Sequence, residues 1–119
     1  MHKAQGLVVT CIDFRFQEFI DSFIRTKLGV RNHDRVAWAG GIRDFTSVLN
    51  QVKISKKLHD IKLIVLVNHQ DCGAYGDLGT KERHSQDLRE AAEKIKSEIP
   101  DVHVETHYLH LDGTFERIE

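Results

Sequence analysis

Residues 6–12, Gly-Leu-Val-Val-Thr-Cys-Ile, form a short, mostly apolar run of β-branched character, as expected of a strand buried on both faces. Phe16, Phe19, Ile20, Phe23, Ile24 and Leu28 follow at helical spacing, and Gly29 is placed to end that amphipathic helix. Residues 35–39 read as a second short strand, stopped by Gly40-Gly41. Asp44 can then cap a helix that buries Phe45, Val48, Leu49 and Val52. The clearest strand runs from Lys62 to Val67 and leads into a loop, Asn68 to Gly76, with turn residues at both ends. A third helix is expected from about Ser85, with Leu88, Ala91, Ala92, Ile95 and Ile99 on its inner face and Pro100 closing it. Val102 to Leu111 reads as a strand, Asp112-Gly113 as a tight turn, and Thr114 to Ile118 as a hairpin partner folding back.

Strands alternating with helices predict an α/β fold: a single three-layer domain over residues 1–119. Its centre is a mainly parallel sheet of four or five strands with helices on both faces and an antiparallel C-terminal edge strand. In such sheets ligands bind beyond the carboxyl ends of the strands, where the strand order reverses. Both cysteines fall at such ends. A chain of 119 residues suffices for one real core. The balance of 40% hydrophobic and 29% charged residues is that of an ordinary globule, not a disordered chain. Net charge is −1 and no segment gathers Lys and Arg, so a nucleic-acid partner is not expected. The apolar run Leu7-Val8-Val9 is too short for a signal peptide or a membrane span, which predicts a cytoplasmic protein with no membrane partner. In that compartment two cysteines serve as ligands, nucleophiles or buried apolar residues more often than as a disulfide.

Two half-motifs carry the chemistry. The first is Cys11-Ile12-Asp13-Phe14-Arg15; if the strand persists to its tip, a period of two sends Cys11, Asp13 and Arg15 to one side. The second is His69-Gln70-Asp71-Cys72, an imidazole and a thiol three apart after a buried strand. Taken singly, each has a plainer reading: a small buried thiol, a surface imidazole, an exposed ion pair. Together they supply two sulfurs and one nitrogen, a zinc donor set that leaves a fourth position for water or substrate. Two thiolates cancel the metal's charge, so water bound there is less acidic than on zinc held by three neutral histidines, where its pKa is about 7. Asp13, kept ionised by Arg15, is suited to accept the proton of a zinc-bound hydroxide and aim it. The same carboxylate could instead become a fourth ligand and close the site.

Other polar residues are read more plainly. His103, Glu105 and His107 share one face of the last long strand, which predicts a solvated polar edge. Tyr75, His33 and His107 are candidate proton relays that spacing does not separate. Gly73 and Gly76 suit either a close backbone approach or a plain turn. Trp38, Phe16, Phe19 and Phe23 read as core or subunit contact. A phosphatase or rhodanese loop would need an arginine six residues after a cysteine, where Gln17 and Leu78 stand.

At these residues the chain resembles the beta-class carbonic anhydrases, which carry Cys-x-Asp-x-Arg after the first core strand and His-x-x-Cys-Gly after the third. Ala39-Gly40-Gly41 is similar to the Ala-Gly-Gly after that family's second strand, and Tyr108 to Gly113 to its closing turn. The resemblance implies reversible hydration of carbon dioxide to bicarbonate, with Zn2+ held by Cys11, His69 and Cys72. It further implies Asp13 and Arg15 as catalytic dyad and Gly40, Gly41 and Gly73 about the substrate pocket. It implies a small-molecule substrate and assembly as a homodimer or dimer of dimers. Carbonyl sulfide or carbon disulfide hydrolysis is a related alternative, and a non-catalytic zinc-binding relative is the other; retention of Asp13 and Arg15 favours an enzyme. The chain starts almost at its first core strand, so the family's N-terminal helical arm is not expected. Ala37 and Trp38 replace the family's Arg and Asn, and Phe14 a frequent Ser, predicting a bulkier, more apolar pocket wall.

Overall fold

The computed structural model describes all 119 residues. In chain order the elements are β1 (Gly6–Thr10), α1 (Gln17–Leu28), β2 (His33–Ala37), α2 (Phe45–His59), β3 (Leu63–His69), a 3-10 turn (Gly76–Leu78), α3 (Lys81–Glu98), β4 (His103–Leu109) and β5 (Phe115–Arg117). They build one five-stranded sheet in the order β2-β1-β3-β4-β5, parallel throughout except for the antiparallel β4–β5 pair. No helix is long and apolar enough to cross a membrane.

The alternation of side chains along β1 and β3 sorts the core into two layers. Leu7, Val9, Ile64 and Leu66 pack against Val48 and Val52 of α2 and Leu88, Ala91 and Ile95 of α3. Val8, Val65 and Val67 face Ile20, Ile24 and Leu28 of α1. Each of these buried Val, Leu and Ile side chains is worth about 1.5–3 kcal/mol of transfer free energy, which anchors the central strands between the helices. The strand order also explains where a site can form. From β1 the chain crosses to β2 through α1 on one face; from β3 it crosses to β4 through α3 on the other. Two neighbouring parallel strands thus discharge the chain to opposite faces, and a crevice opens between their carboxyl ends.

Gly29 ends α1 at φ +78°, and the Asp44 carboxylate caps α2 by accepting the Ser47 N–H at 3.3 Å, both as the sequence predicts. The third helix starts four residues before the expected Ser85. Thr80 caps it, accepting the Arg83 N–H at 3.1 Å, and a first turn of Lys81, Glu82 and Arg83 carries no apolar periodicity to announce it. Strand β1 stops at Thr10, whose partner Ala37 is also the last residue of β2. Strand β2 begins at His33, two residues early, because an edge strand tolerates polar His33 and Asp34. Strand β3 runs past Val67 to His69, so the histidine is part of the sheet.

The expected solvated edge at His103, Glu105 and His107 is corrected. Strand β5 covers β4, and α1 lies over that face; only His103 stays exposed. Buried Glu105 binds Lys27 at 2.7 Å and His107 at 3.3 Å, and the Phe23 ring stands 5.0 Å from that of His107. Sheet order, which local pattern does not reveal, decides this. Phe16 is core, whereas Phe19 and Trp38 are each partly exposed.

Candidate metal centre

Cys11 follows the last residue of β1, His69 is the last residue of β3, and Cys72 lies in the turn beyond it. All three are buried, and their donor atoms lie within 4.8 Å of one another. The Cys11 sulfur accepts the Gly40 N–H at 3.3 Å, brought over it by a turn after β2 that places Gly40 at φ +91°. The carbonyl of Cys72 accepts the N–H groups of Tyr75 and Gly76, which closes the second loop.

His69 is the most constrained of the three. Its Nδ1 is 2.7 Å from the Gln70 carbonyl, which can only accept, so Nδ1 carries the proton and Nε2 presents a lone pair. That Nε2 is buried and has no hydrogen-bond partner. An orphaned imidazole nitrogen facing two thiols is costly to bury unless something joins all three. Two thiolates and one imidazole suit a borderline metal such as zinc, and the donor set fits it. The contact with Cys72, together with His69 and the Gly40 N–H, lowers the Cys11 pKa against the effect of burial, and the same contact with Cys11, followed by burial, raises that of Cys72. Burial is the largest single influence on His69 and opposes its charge, but Cys11, the Gln70 carbonyl and Asp13 outweigh it and raise its pKa.

Asp13 and Arg15 are brought together by a turn, because β1 has already ended and no strand pleat reaches them. The Arg15 N–H donates to Asp13 Oδ1 at 2.9 Å, its Nε to both carboxylate oxygens at 3.1 and 3.2 Å, and its Nη2 to Oδ2 at 2.7 Å. Held chiefly by these bonds, the Asp13 carboxyl is lowered to about 2. Its Oδ2 stands 3.9 Å from His69 Nε2, beside the donor cluster. Gln17 staples this turn, donating to the carbonyls of Cys11 at 3.1 Å and Asp13 at 2.8 Å. The sequence used Gln17 only to exclude a phosphate loop; nothing local marks its true contact.

A cleft of about 360 Å³ opens above Cys11, lined by Ile12, Asp13, Phe14, Ala39, Gly73 and Ala74. Phe14 is 87% exposed at its mouth. Gly73 is in the wall, and Gly40 lies behind the Cys11 sulfur. Gly41 packs beneath Asn68, where an added Cβ would meet Oδ1 at 2.3 Å. Trp38 and Ala37 do not line the cleft. A second hollow of about 380 Å³ lies between Arg43 and α3, and none of the three donor residues lines it.

Behind the cluster runs a polar chain of which the sequence singled out Tyr75 but not Asn68, His84 or Asp87. Buried Asn68 accepts the Ile42 N–H at 3.2 Å, and its amide lies 3.1 Å from the Tyr75 hydroxyl and 2.9 Å from His84 Nδ1. The Tyr75 hydroxyl donates to Asp87 at 2.8 Å. It is therefore turned away from the sulfurs. Of the other candidate relays, His33 opens β2 at the far end of the sheet and His107 is engaged with Glu105.

A family described as "Putative carbonic anhydrase" matches residues 1–119. An uncharacterised protein of Rickettsia conorii is 33% identical in an alignment covering 99% of this chain and 74% of that protein. Among solved structures, a carbonic anhydrase from Glaciozyma antarctica superposes with a TM-score of 0.74 at 17% identity, covering 100% of this chain and 85% of that one. The apo form of a carbon disulfide hydrolase gives 0.74 at 16% identity, covering 99% and 80%. A structure of tetrameric beta-carbonic anhydrases from Sordaria macrospora gives 0.62 at 14% identity, covering 99% and 82%. At such identities these structures share the fold, while the family match spans every residue. The chain belongs to this carbonic anhydrase family, and its architecture is that of the beta class.

Proposed function

We propose that this protein is a zinc lyase that interconverts carbon dioxide and bicarbonate, with Cys11, His69 and Cys72 as metal ligands and Asp13 and Arg15 as catalytic dyad. One observation carries the reading: a buried, tautomer-locked His69 nitrogen without a partner, clustered with two thiols. Bound there, zinc supplies the Lewis acidity that makes water a nucleophile near neutral pH. Asp13, which Arg15 keeps ionised, accepts a hydrogen bond from the nucleophile's O–H at its carboxylate and turns that oxygen's lone pair toward the cleft, while the proton released from water passes to solvent. Arg15 holds that carboxylate in place and is itself charged throughout. Ile12, Phe14, Ala39 and Ala74 offer an apolar approach suited to carbon dioxide, which carries no charge and no dipole. The two cysteine ligands donate more charge than histidines would, so activity should rise toward alkaline pH.

The apolar wall and the carbon disulfide hydrolase among the structural neighbours support a second substrate class, carbonyl sulfide or carbon disulfide, attacked at the same site. Exposed Ile12 and Phe14 beside the cleft, and the tetrameric Sordaria neighbours, support assembly as a homodimer or dimer of dimers. Two buried free thiols suit a reducing cytoplasm. Metal analysis of protein purified without chelator, with stopped-flow hydration of carbon dioxide across pH, tests the proposal. One zinc per chain with turnover rising toward alkaline pH is expected; metal-loaded protein with no rate above background overturns the lyase assignment.

A further inference from the structure

Arg15 touches more than its dyad partner. Its Nη1 donates to Asp71 Oδ2 at 3.0 Å and its Nη2 to the Asp71 carbonyl at 2.9 Å. With the bonds to Asp13, four of the five guanidinium N–H groups are used, two of them on a residue from the other half-motif. Asp71 is itself fixed. Its backbone is left-handed at φ +58°, a conformation that Asp, Asn and Gly adopt more readily than other residues. The neighbouring Gln70 is tied to the end of β4, its N–H donating to the Leu109 carbonyl at 2.9 Å and its side chain accepting the Leu111 N–H at 2.9 Å. On the other side, the Cys72 carbonyl is held by the next turn. Asp71 is therefore a platform pinned between two ligands.

We infer that Asp71 is a positioning residue: it locks the Arg15 guanidinium across the crevice and thereby sets where Arg15 holds the Asp13 carboxylate beside His69 Nε2. An ordinary exposed ion pair contributes little because both side chains wander. Here the guanidinium is bonded to two carboxylates and a carbonyl, and the Phe16 ring centroid lies 5.3 Å from its central carbon. A guanidinium bonded to Asp13 alone could swing with it; one bonded to both loops cannot. Asp71 reaches no donor atom of the cluster and acts only through Arg15. The catalytic consequence rests on the proposed hydration chemistry, whereas the immobilisation of Arg15 rests on geometry alone.

The test uses the full zinc-loaded chain as wild type, Asp71→Gly and Asp71→Asn. Glycine accepts the left-handed backbone and keeps the carbonyl acceptor while removing the carboxylate; asparagine keeps the backbone and a side-chain oxygen. Asp71→Gly should lower kcat for carbon dioxide hydration about tenfold, the scale usual for loss of such outer contacts, with KM and one zinc per chain retained. Asp71→Asn should recover to within about threefold of wild type. By NMR, hydrogen exchange at Arg15 Nε should be about tenfold faster in Asp71→Gly and close to wild type in Asp71→Asn. Unchanged turnover and exchange in Asp71→Gly overturn the inference, as does Asp71→Asn behaving like Asp71→Gly. Should the wild type show no hydration at all, the lyase assignment falls, and the exchange measurement still decides whether Asp71 holds Arg15.

Discussion

His69 and His84 flank the same loop, and each is fully enclosed with one ring nitrogen bonded and the other free. Their surroundings separate them. The free Nε2 of His69 faces two thiols and a carboxylate; burial opposes its charge, but Cys11, the Gln70 carbonyl and Asp13 raise its pKa. The free Nε2 of His84 faces the backbone at Gly79, where an added Cβ would stand 3.2 Å away, and burial lowers its pKa to about 4. Its Nδ1 is spent on Asn68, and its ring rests 4.0 Å from that of Tyr75. An orphaned buried nitrogen is thus no evidence of a ligand by itself; what matters is whether other soft donors converge on the same point. One region gathers three donor atoms on a single point, the other is a closed hydrogen-bonded network behind it.

Removing a ligand should break the first region outright. In His69→Ala or Cys72→Ser we expect zinc to be lost on dialysis, together with roughly 5 kcal/mol or more of stability, because metal binding and folding are coupled. Metal analysis and thermal unfolding with and without chelator check this. Asp13→Asn should keep one zinc per chain yet lower turnover about a hundredfold or more, since a neutral amide no longer fixes the nucleophile's O–H through a charged acceptor. Stopped-flow hydration at matched zinc content measures it, and full activity in that variant would remove Asp13 from the mechanism.

The second region should respond to acid. His84 stays neutral in the fold down to about pH 4, whereas in the unfolded chain it titrates near 6.5. Below pH 6.5 the unfolded chain binds a proton that the fold refuses, so stability falls as pH falls, by roughly 3 kcal/mol near pH 4. In His84→Gln that part of the acid limb should vanish, leaving a shallower denaturant-midpoint profile. Asn68→Ala should cost about 2 kcal/mol by stranding the Ile42 N–H and the Tyr75 and His84 partners, lowering Tm by roughly 5–10 °C. Zinc should remain at one per chain. Loss of metal in this last variant would show that the supporting network and the metal centre are one unit.

The His69–Cys72 half of the donor cluster was legible because its spacing is local: a thiol and an imidazole three apart stand out wherever the fold places them. The parallel core was legible for a related reason, since Leu7-Val8-Val9 and Leu63 to Val67 are apolar on both faces and must be covered twice. The start of α3 escaped because its first turn is polar and its cap is a single threonine. Glu105 and His107 escaped because nothing in their own strand says that α1 and β5 will lie over them.

The two half-motifs, their donor atoms and the strand-helix alternation are properties of the chain itself, set by side-chain chemistry and hydrophobic period. Tertiary structure decided which strand ends would be neighbours. Because the order reverses between β1 and β3, Cys11 meets His69 and Cys72, and Arg15 meets Asp71 fifty-six positions further along. Contacts of that separation depend on how sheet order folds distant segments together, and no local spacing encodes it.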